Sequence, residues 1–266
     1  VNGSTSLTDP GGGGAKVWTG THTGELTSLA SSATGASVYY IKIDGKYLAD
    51  PGQNYVTNVP SIASTVRARP ETGFSIAKYT GTGANATIAH GLSNAAPEFI
   101  IVKMRSSAGY DWCVYHKDLT SAAYSVSLHS TAAEASEPTT WNSTAPTKSA
   151  ISLGTRGSVN NNGSDFIAYS WTSIEGYSSI GSFQNPSSTD GAFVFCGFKP
   201  ALIIAKCVKN ISSSAGHGDW IIKDTTRSPF NNPSDGNTIA LNVANAEDNY
   251  YSASQAAIDI LSNGFK

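Results

Sequence analysis

Apolar residues along this chain fall into short runs, and the runs are broken by clusters of Gly, Pro, Asn and Ser. No window sustains apolar positions at i, i+3, i+4 and i+7 with capping residues at its ends. Ser252–Leu261 (SASQAAIDIL) is the best helical candidate, and Ala122–Ala135 is a weaker one. Strand signals dominate instead. Val38–Ile43 (VYYIKI) runs into Asp44-Gly45 and then Lys46–Leu48, a β-branched and aromatic run on each side of a two-residue turn, which predicts a hairpin. Phe74–Tyr79, Thr87–His90, Glu98–Lys103, Trp112–His116, Tyr124–Leu128, Phe166–Trp171, Ala192–Cys196, Leu202–Val208 and Trp220–Lys223 also read as strands. Many short strands separated by turn residues predict an all-β protein, an antiparallel β-sandwich.

The same pattern is written twice. Pro97–Lys103 is PEFIIVK and Pro200–Lys206 is PALIIAK. Each is followed by a Ser-Ser-Ala-Gly loop and an Asp-Trp pair, Asp111-Trp112 and Asp219-Trp220. The Pro and Lys positions are each 103 residues apart, and the tryptophans 108 apart. Leu128–Glu134 (LHSTAAE) matches Leu241–Glu247 (LNVANAE) at 113, Phe74–Gly81 loosely matches Ile180–Asn185, and Asn162–Phe166 echoes Asn263–Phe265. Landmarks in one order, with length differences in loops, predict a tandem duplication with copies at 73–163 and 164–266. Asp9–Ala15 (DPGGGGA) reads as a flexible connector, and Tyr55–Pro70 reads as a linker or surface strap. The expected domains are therefore a smaller hairpin-containing segment, 1–70, and the duplicated sandwich, 71–266. The chain starts without Met and stops at Gly264-Phe265-Lys266 in mid-pattern, as expected of a segment of a longer polypeptide.

The repeated phrase has a structural reading. Pro suits a strand start because it lacks a backbone donor. The apolar run after it is too continuous for a strand with one wet face, so it should be covered on both sides, by the other sheet and by a neighbouring copy or subunit. Lys ends the run at water, Asp before Trp can accept a turn N–H, and Trp anchors the return strand in the core.

Composition narrows the function classes. Only 14% of the 266 residues are charged, against about 25% in ordinary domains, so Ser, Thr, Asn and Gly must cover the surface. Net charge is −2 and no basic cluster points to nucleic acid. No apolar run approaches the roughly 20 residues of a membrane span. Cys113, Cys196 and Cys207 are odd in number and sit in apolar runs, which predicts buried thiols rather than a disulfide framework.

Catalytic signals are weak. His22, His90, His116, His129 and His217 form no HxH or HExxH spacing, and there is no GxSxG elbow. Gly81-Thr82-Gly83 lacks a strand-to-helix context. No cofactor is implied; a loop-bound calcium ion is left open, since the aspartates are dispersed. Glu98, Glu134, Glu137, Glu175 and Glu247 supply carboxylates for glycoside hydrolysis, but Glu134 and Glu247 coincide across the repeat, which suggests a structural role. Sugar binding fits better, because it needs aromatic platforms with amides and hydroxyls. The candidates lie where the copies differ: Tyr110, Trp141, Tyr177, His217, Tyr250 and Tyr251. For each, the competing reading is an aromatic that packs its loop onto the scaffold.

Gly73–His116, Ser152–Phe183 and Ser188–Lys206 together resemble a β-rich domain common in marine bacteriophages and cyanophages, in proteins usually described as tail-fibre-like or structural. Gly11–Leu48 resembles a segment that often precedes that domain, sometimes the end of a lectin-like sandwich. The resemblance implies a virion protein made in the host cytoplasm, without catalytic residues to carry over. The expectation is a non-enzymatic tail-fibre or receptor-binding segment, a homotrimer that works with other virion proteins and adsorbs to a bacterial surface glycan or receptor. The alternatives are a non-binding decoration or spacer and, less favoured, a polysaccharide depolymerase.

Overall fold

The computed structural model describes residues 41–43, 46–48, 60–92, 95–184, 191–211, 218–229, 231, 238–244, 246–247 and 258–266. The chain divides into two compact units, Val1–Tyr55 and Val56–Lys266. In the first, β1 (Ile41–Ile43) pairs antiparallel with β2 (Lys46–Leu48) across the Asp-Gly position, as the sequence predicts.

The second unit carries β3 (Thr65–Arg69), a short 3-10 turn at Pro70–Thr72, β4 (Phe74–Thr80), β5 (Ala86–Ile88), β6 (Phe99–Met104), β7 (Cys113–His116), β8 (Tyr124–Ser127), β9 (Ala135–Ser136), β10 (Ile151–Leu153), a single helical turn α1 (Gly157–Asn160) and β11 (Asp165–Trp171). It continues with β12 (Val194–Phe195), β13 (Leu202–Lys206), β14 (Trp220–Asp224), β15 (Ile239–Ala240), β16 (Ile260–Leu261) and β17 (Gly264–Phe265). All the strand pairings among the described residues are antiparallel, and the class is the expected all-β sandwich type.

The main sheet has seven strands in the order β3-β4-β11-β6-β7-β8-β9. Strict alternation makes it two-faced. Ser75, Ala77, Tyr79, Ile100, Val102, Met104, Cys113, Tyr115, Phe166, Ala168 and Ser170 point inward and are buried. The β5–β10 ribbon closes the core from the other side with Ile88, Ile151 and Leu153, joined by Ile62, Trp141 and Val159. Tyr79 stacks on Phe166 at 5.2 Å and satisfies its hydroxyl on the Val159 carbonyl at 2.7 Å. His90 is buried as a neutral ring: Nε2 donates to the Thr147 carbonyl and Nδ1 accepts from the Leu92 N–H, while burial holds its pKa below the ordinary value.

Several sequence expectations change. Residues 65–69 form the edge strand β3, paired along its length with β4, so a linker cannot run to residue 70. The alternation there was hidden because arginines occupy its exposed positions. β11, assigned by the sequence to the second copy, is the central strand of the first sheet, paired with both β4 and β6. The first copy therefore runs at least to Trp171. Asn263–Phe265 corresponds not to β11 but to β10: β17 pairs with β12 as β10 pairs with β5, with Phe265 opposite Val194 and Ile151 opposite Ile88. Neither helix candidate is helical where described: Tyr124–Ser127 and Ile260–Leu261 are strands, and most of Ser252–Leu261 lies outside the described residues. Cys113 is buried, but Cys196 is half-buried and Cys207 is exposed; all three are free thiols.

The duplication explains the repeated phrase. β6–β7 and β13–β14 are the same hairpin, and each has the same lock. Lys103 Nζ lies 5.5 Å over the Trp112 ring and donates to the Tyr110 carbonyl. Lys206 Nζ lies 5.6 Å over the Trp220 ring and donates to the Gly218 carbonyl. Such a cation–π contact is worth about 0.5–2 kcal/mol, depending on how dry it is. The Trp carbonyl of each copy accepts from the Leu N–H of the next strand, Leu128 at 3.0 Å and Leu241 at 2.8 Å. Glu134 and Glu247 are structural in both copies: Glu134 accepts from the Thr120 N–H and pairs with Lys209, and Glu247 pairs with Arg227.

The copies differ in what the tryptophan does. Trp112 is 36% exposed, so the expected core anchor is absent in the first copy. Trp220 is 5% exposed because it inserts between the copies, beside Val114, Leu119 and Val126, and its Nε1 donates to the Ser127 carbonyl at 3.0 Å. Glu134 N–H donates to the Val208 carbonyl, and Lys206 also donates to the Ser130 carbonyl, across the same junction. Gly218 makes this approach feasible: a Cβ there would lie 1.9 Å from the Thr131 carbonyl oxygen. The equivalent position in the first copy holds Tyr110.

Two outcomes follow. Gly218→Ala should lower stability by roughly 1–3 kcal/mol through overpacking and loosen the second copy, seen as a lower urea midpoint with Trp220 fluorescence moving toward that of an exposed indole. Lys206 gives a pH signature. Burial pulls its pKa down to about 8, with Asp219 and Cys207 opposing. The unfolded chain then holds more protons between about pH 8 and the ordinary lysine value, so this residue makes stability rise with pH across that window. Comparing urea midpoints at either end of it for the native chain and Lys206→Met should show a rise that the variant lacks.

Candidate binding face

The outward side chains of the main sheet form rows across the strands. Register places Arg69, Phe74, Trp171, Phe99 and His116 side by side across β3, β4, β11, β6 and β7. The next row is Arg67, Ile76, Tyr169, Ile101 and Val114. Period-two alternation puts them there: β11 sends Phe166, Ala168 and Ser170 inward and Ile167, Tyr169 and Trp171 outward.

The rings of the first row touch in sequence. Phe74 lies 5.0 Å from Trp171, Trp171 5.4 Å from Phe99, and Phe99 6.2 Å from His116 in edge geometry. Tyr169 stacks beside Trp171 at 6.3 Å. Four strand spacings give a row about 19 Å long. Phe74, Trp171 and Phe99 are half-buried, while Arg69 is exposed at one end. At the other end, burial lowers the pKa of His116; its Nδ1 accepts from the Asp118 N–H and its ring also bonds the Gly181 backbone. Glu98 fixes the chain leaving β11, accepting from the Ser173 N–H at 2.7 Å and from its hydroxyl.

A second polar group lies at the loop end of the first copy. Arg156 binds Asp111 at 2.8 Å and Glu137 at 3.4 Å, and Asp111 also meets His129 at 3.2 Å. The Asp111 carboxylate thus serves this ion network in place of the turn N–H expected from the sequence. Among the described residues, no group of three or more His, Cys, Asp and Glu could hold a metal ion, and no helix is long and apolar enough to cross a membrane.

The loop residues expected to bind fare unevenly. Trp141 is a correction: it is buried in the core, edge-on to Tyr115 at 5.9 Å, and cannot meet a ligand. Its indole packs in the core cluster with Ile151 and Leu153 of β10. Tyr110 is half-buried, its ring against Gly157 and the core, so it packs its loop down. Tyr177 is 62% exposed in the turn closed by Ile174 and Ser178. His217, Tyr250 and Tyr251 lie outside the described residues. The sequence points to aromatics in loops, whereas the aromatic row lies on strands. Its signal is present in Tyr169 and Trp171, which alternate on the face opposite buried Phe166, and in Phe74 and Phe99 at outward positions of β4 and β6.

What these features define is a β-sandwich module with a repeated hairpin and a half-open aromatic face. The chain belongs to a family described only as a domain of unknown function, DUF7483, which it matches over residues 47–266. No curated protein and no solved structure matches it.

Proposed function

We propose that this chain is a segment of a bacteriophage tail fibre or receptor-binding appendage, and that it adsorbs to a bacterial surface glycan through the Arg69–Phe74–Trp171–Phe99–His116 row. That row is the observation that carries the reading. Apolar ring faces beside a guanidinium are what a pyranose needs: its C–H face stacks on Phe74 and Trp171 at the half-open end of the row, and its hydroxyls take hydrogen bonds from Arg69 at the rim. The low-charge Ser, Thr and Asn surface suits an exposed appendage, and several copies on one fibre would turn weak shallow sites into avid attachment.

A second reading is favoured by one contact. Phe99 lies 6.2 Å from Trp220, so part of the same face holds the two copies together, as a non-binding spacer would require. The two separate in a binding experiment with purified bacterial surface polysaccharides. Trp171→Leu keeps an apolar outward residue in β11. On the binding reading it weakens attachment about 5- to 10-fold, the worth of roughly one ring contact, with unchanged circular dichroism. A native chain that binds no polysaccharide, or a variant that binds as well, leaves the spacer.

A further inference from the structure

The half-open end of the aromatic row is charged, and the charge is of one sign. Residues directly opposite each other in an antiparallel pair share a face. The β3–β4 register therefore puts Arg69 and Arg67 on the outer face beside Phe74 and Ile76, and Lys78 follows on β4 opposite Thr65. All three cations are exposed, while Ser75 and Ala77 on the inner face are buried. No outward position of β3 or β4 carries an acid. The whole chain holds 17 Lys and Arg against 19 Asp and Glu, so this excess is local.

Other cations of the first copy are engaged. Arg156 binds Asp111 and Glu137, and Lys103 donates to the Tyr110 carbonyl. The side chains of Arg67 and Lys78 meet no hydrogen-bond or ion-pair partner among the described residues. Arg69 faces the Glu71 carboxylate at 3.7 Å, with most of both side chains in water. A pair so open holds its partners weakly, and a better-placed anion displaces it. Edge strands carry charge to discourage further pairing. That accounts for arginines on β3, but not for Lys78 on the interior strand beside it.

We infer that the glycan laid on this face is acidic: a pyranose stacked on Phe74 and Trp171 presents a carboxylate to Arg67 and Arg69, with Lys78 further along the same edge. The inference rests on the adsorption reading and names the class of sugar it takes. Adjacent strands lie about 5 Å apart, so a ring over Phe74 is one strand from Arg69. Alternate residues of β3 are about 7 Å apart, so one carboxylate between the arginines reaches both guanidinium groups. Each guanidinium offers a planar fork of donors that matches a carboxylate, as Glu71 already shows at Arg69. An anion here also relieves the repulsion among three like charges, so charge and stacking act together.

The test uses the full 266-residue chain and uronate-containing bacterial polysaccharides. Each is compared with its own carboxyl-reduced form, which keeps the sugar ring and turns the acid into an alcohol. The acidic form should bind about tenfold more tightly, the worth of one charge-assisted contact, and added salt should shrink that preference. Arg67→Gln/Arg69→Gln should bring the ratio of the two affinities to within about twofold of one. Trp171→Leu should weaken both forms and keep the ratio. Lys148→Gln/Lys199→Gln removes the same charge from loops outside the main sheet and should keep the native ratio. If the double arginine variant self-associates in sedimentation, Arg67→Gln alone gives the reading, with the ratio cut about threefold. Equal affinity for acidic and reduced forms overturns the inference and leaves the adsorption reading standing. A preference that survives the arginine substitutions, or falls as far with the lysine pair, overturns it too, because the charge is then read elsewhere. Binding of neither form removes the adsorption reading and the inference with it.

Discussion

The double pairing of β11 is the constraint on which the first copy rests. The last strand of the copy inserts between β4 and β6, two earlier strands separated in sequence by β5, and pairs along its length with both. Its inward residues complete the core over the β5–β10 ribbon. Its outward residues complete the aromatic row. Removing it would open an edge on each neighbour and separate Phe74 from Phe99, so core, sheet and candidate face depend on one seven-residue strand.

The second copy reuses the hairpin and its lysine–tryptophan lock but spends the tryptophan differently. Trp112 remains partly in water, whereas Trp220 is driven into the groove formed by β7 and β8 of the first copy. A single residue two positions earlier separates these fates. Gly218 lets the backbone reach the Thr131 carbonyl, whereas Tyr110 at the same place packs its ring toward α1. Repeats of this kind are stabilised largely through their junctions, so asymmetry at one small residue sets the direction in which copies stack.

The same packing shapes the candidate face. An outer sheet surface that received the second copy over its whole width would be core; one that received nothing would be an aggregation liability. Here the junction covers the β6–β8 side and leaves the β3–β11 side half-open, which is the geometry a shallow binding surface and a fibre contact both require. The proposed adsorption role and the spacer role differ in what finally lies on Phe74 and Trp171, not in the fold.

The strand class, the hairpin at Asp44-Gly45, the duplication and the scaffold role of the paired glutamates were legible in the chain, because alternation, turn residues and repeated spacing are local properties. Where the copies divide was not, since β11 pairs with strands more than sixty residues earlier and nothing local records that choice. Nor were the fates of Trp141 and Trp112: an indole reads alike whether it is to face water or fill a cavity, and only the volume left by the assembled sheets decides. The aromatic row belongs to both levels. Each strand's alternation was written in sequence, but five side chains from five strands became one surface only when tertiary pairing set their register.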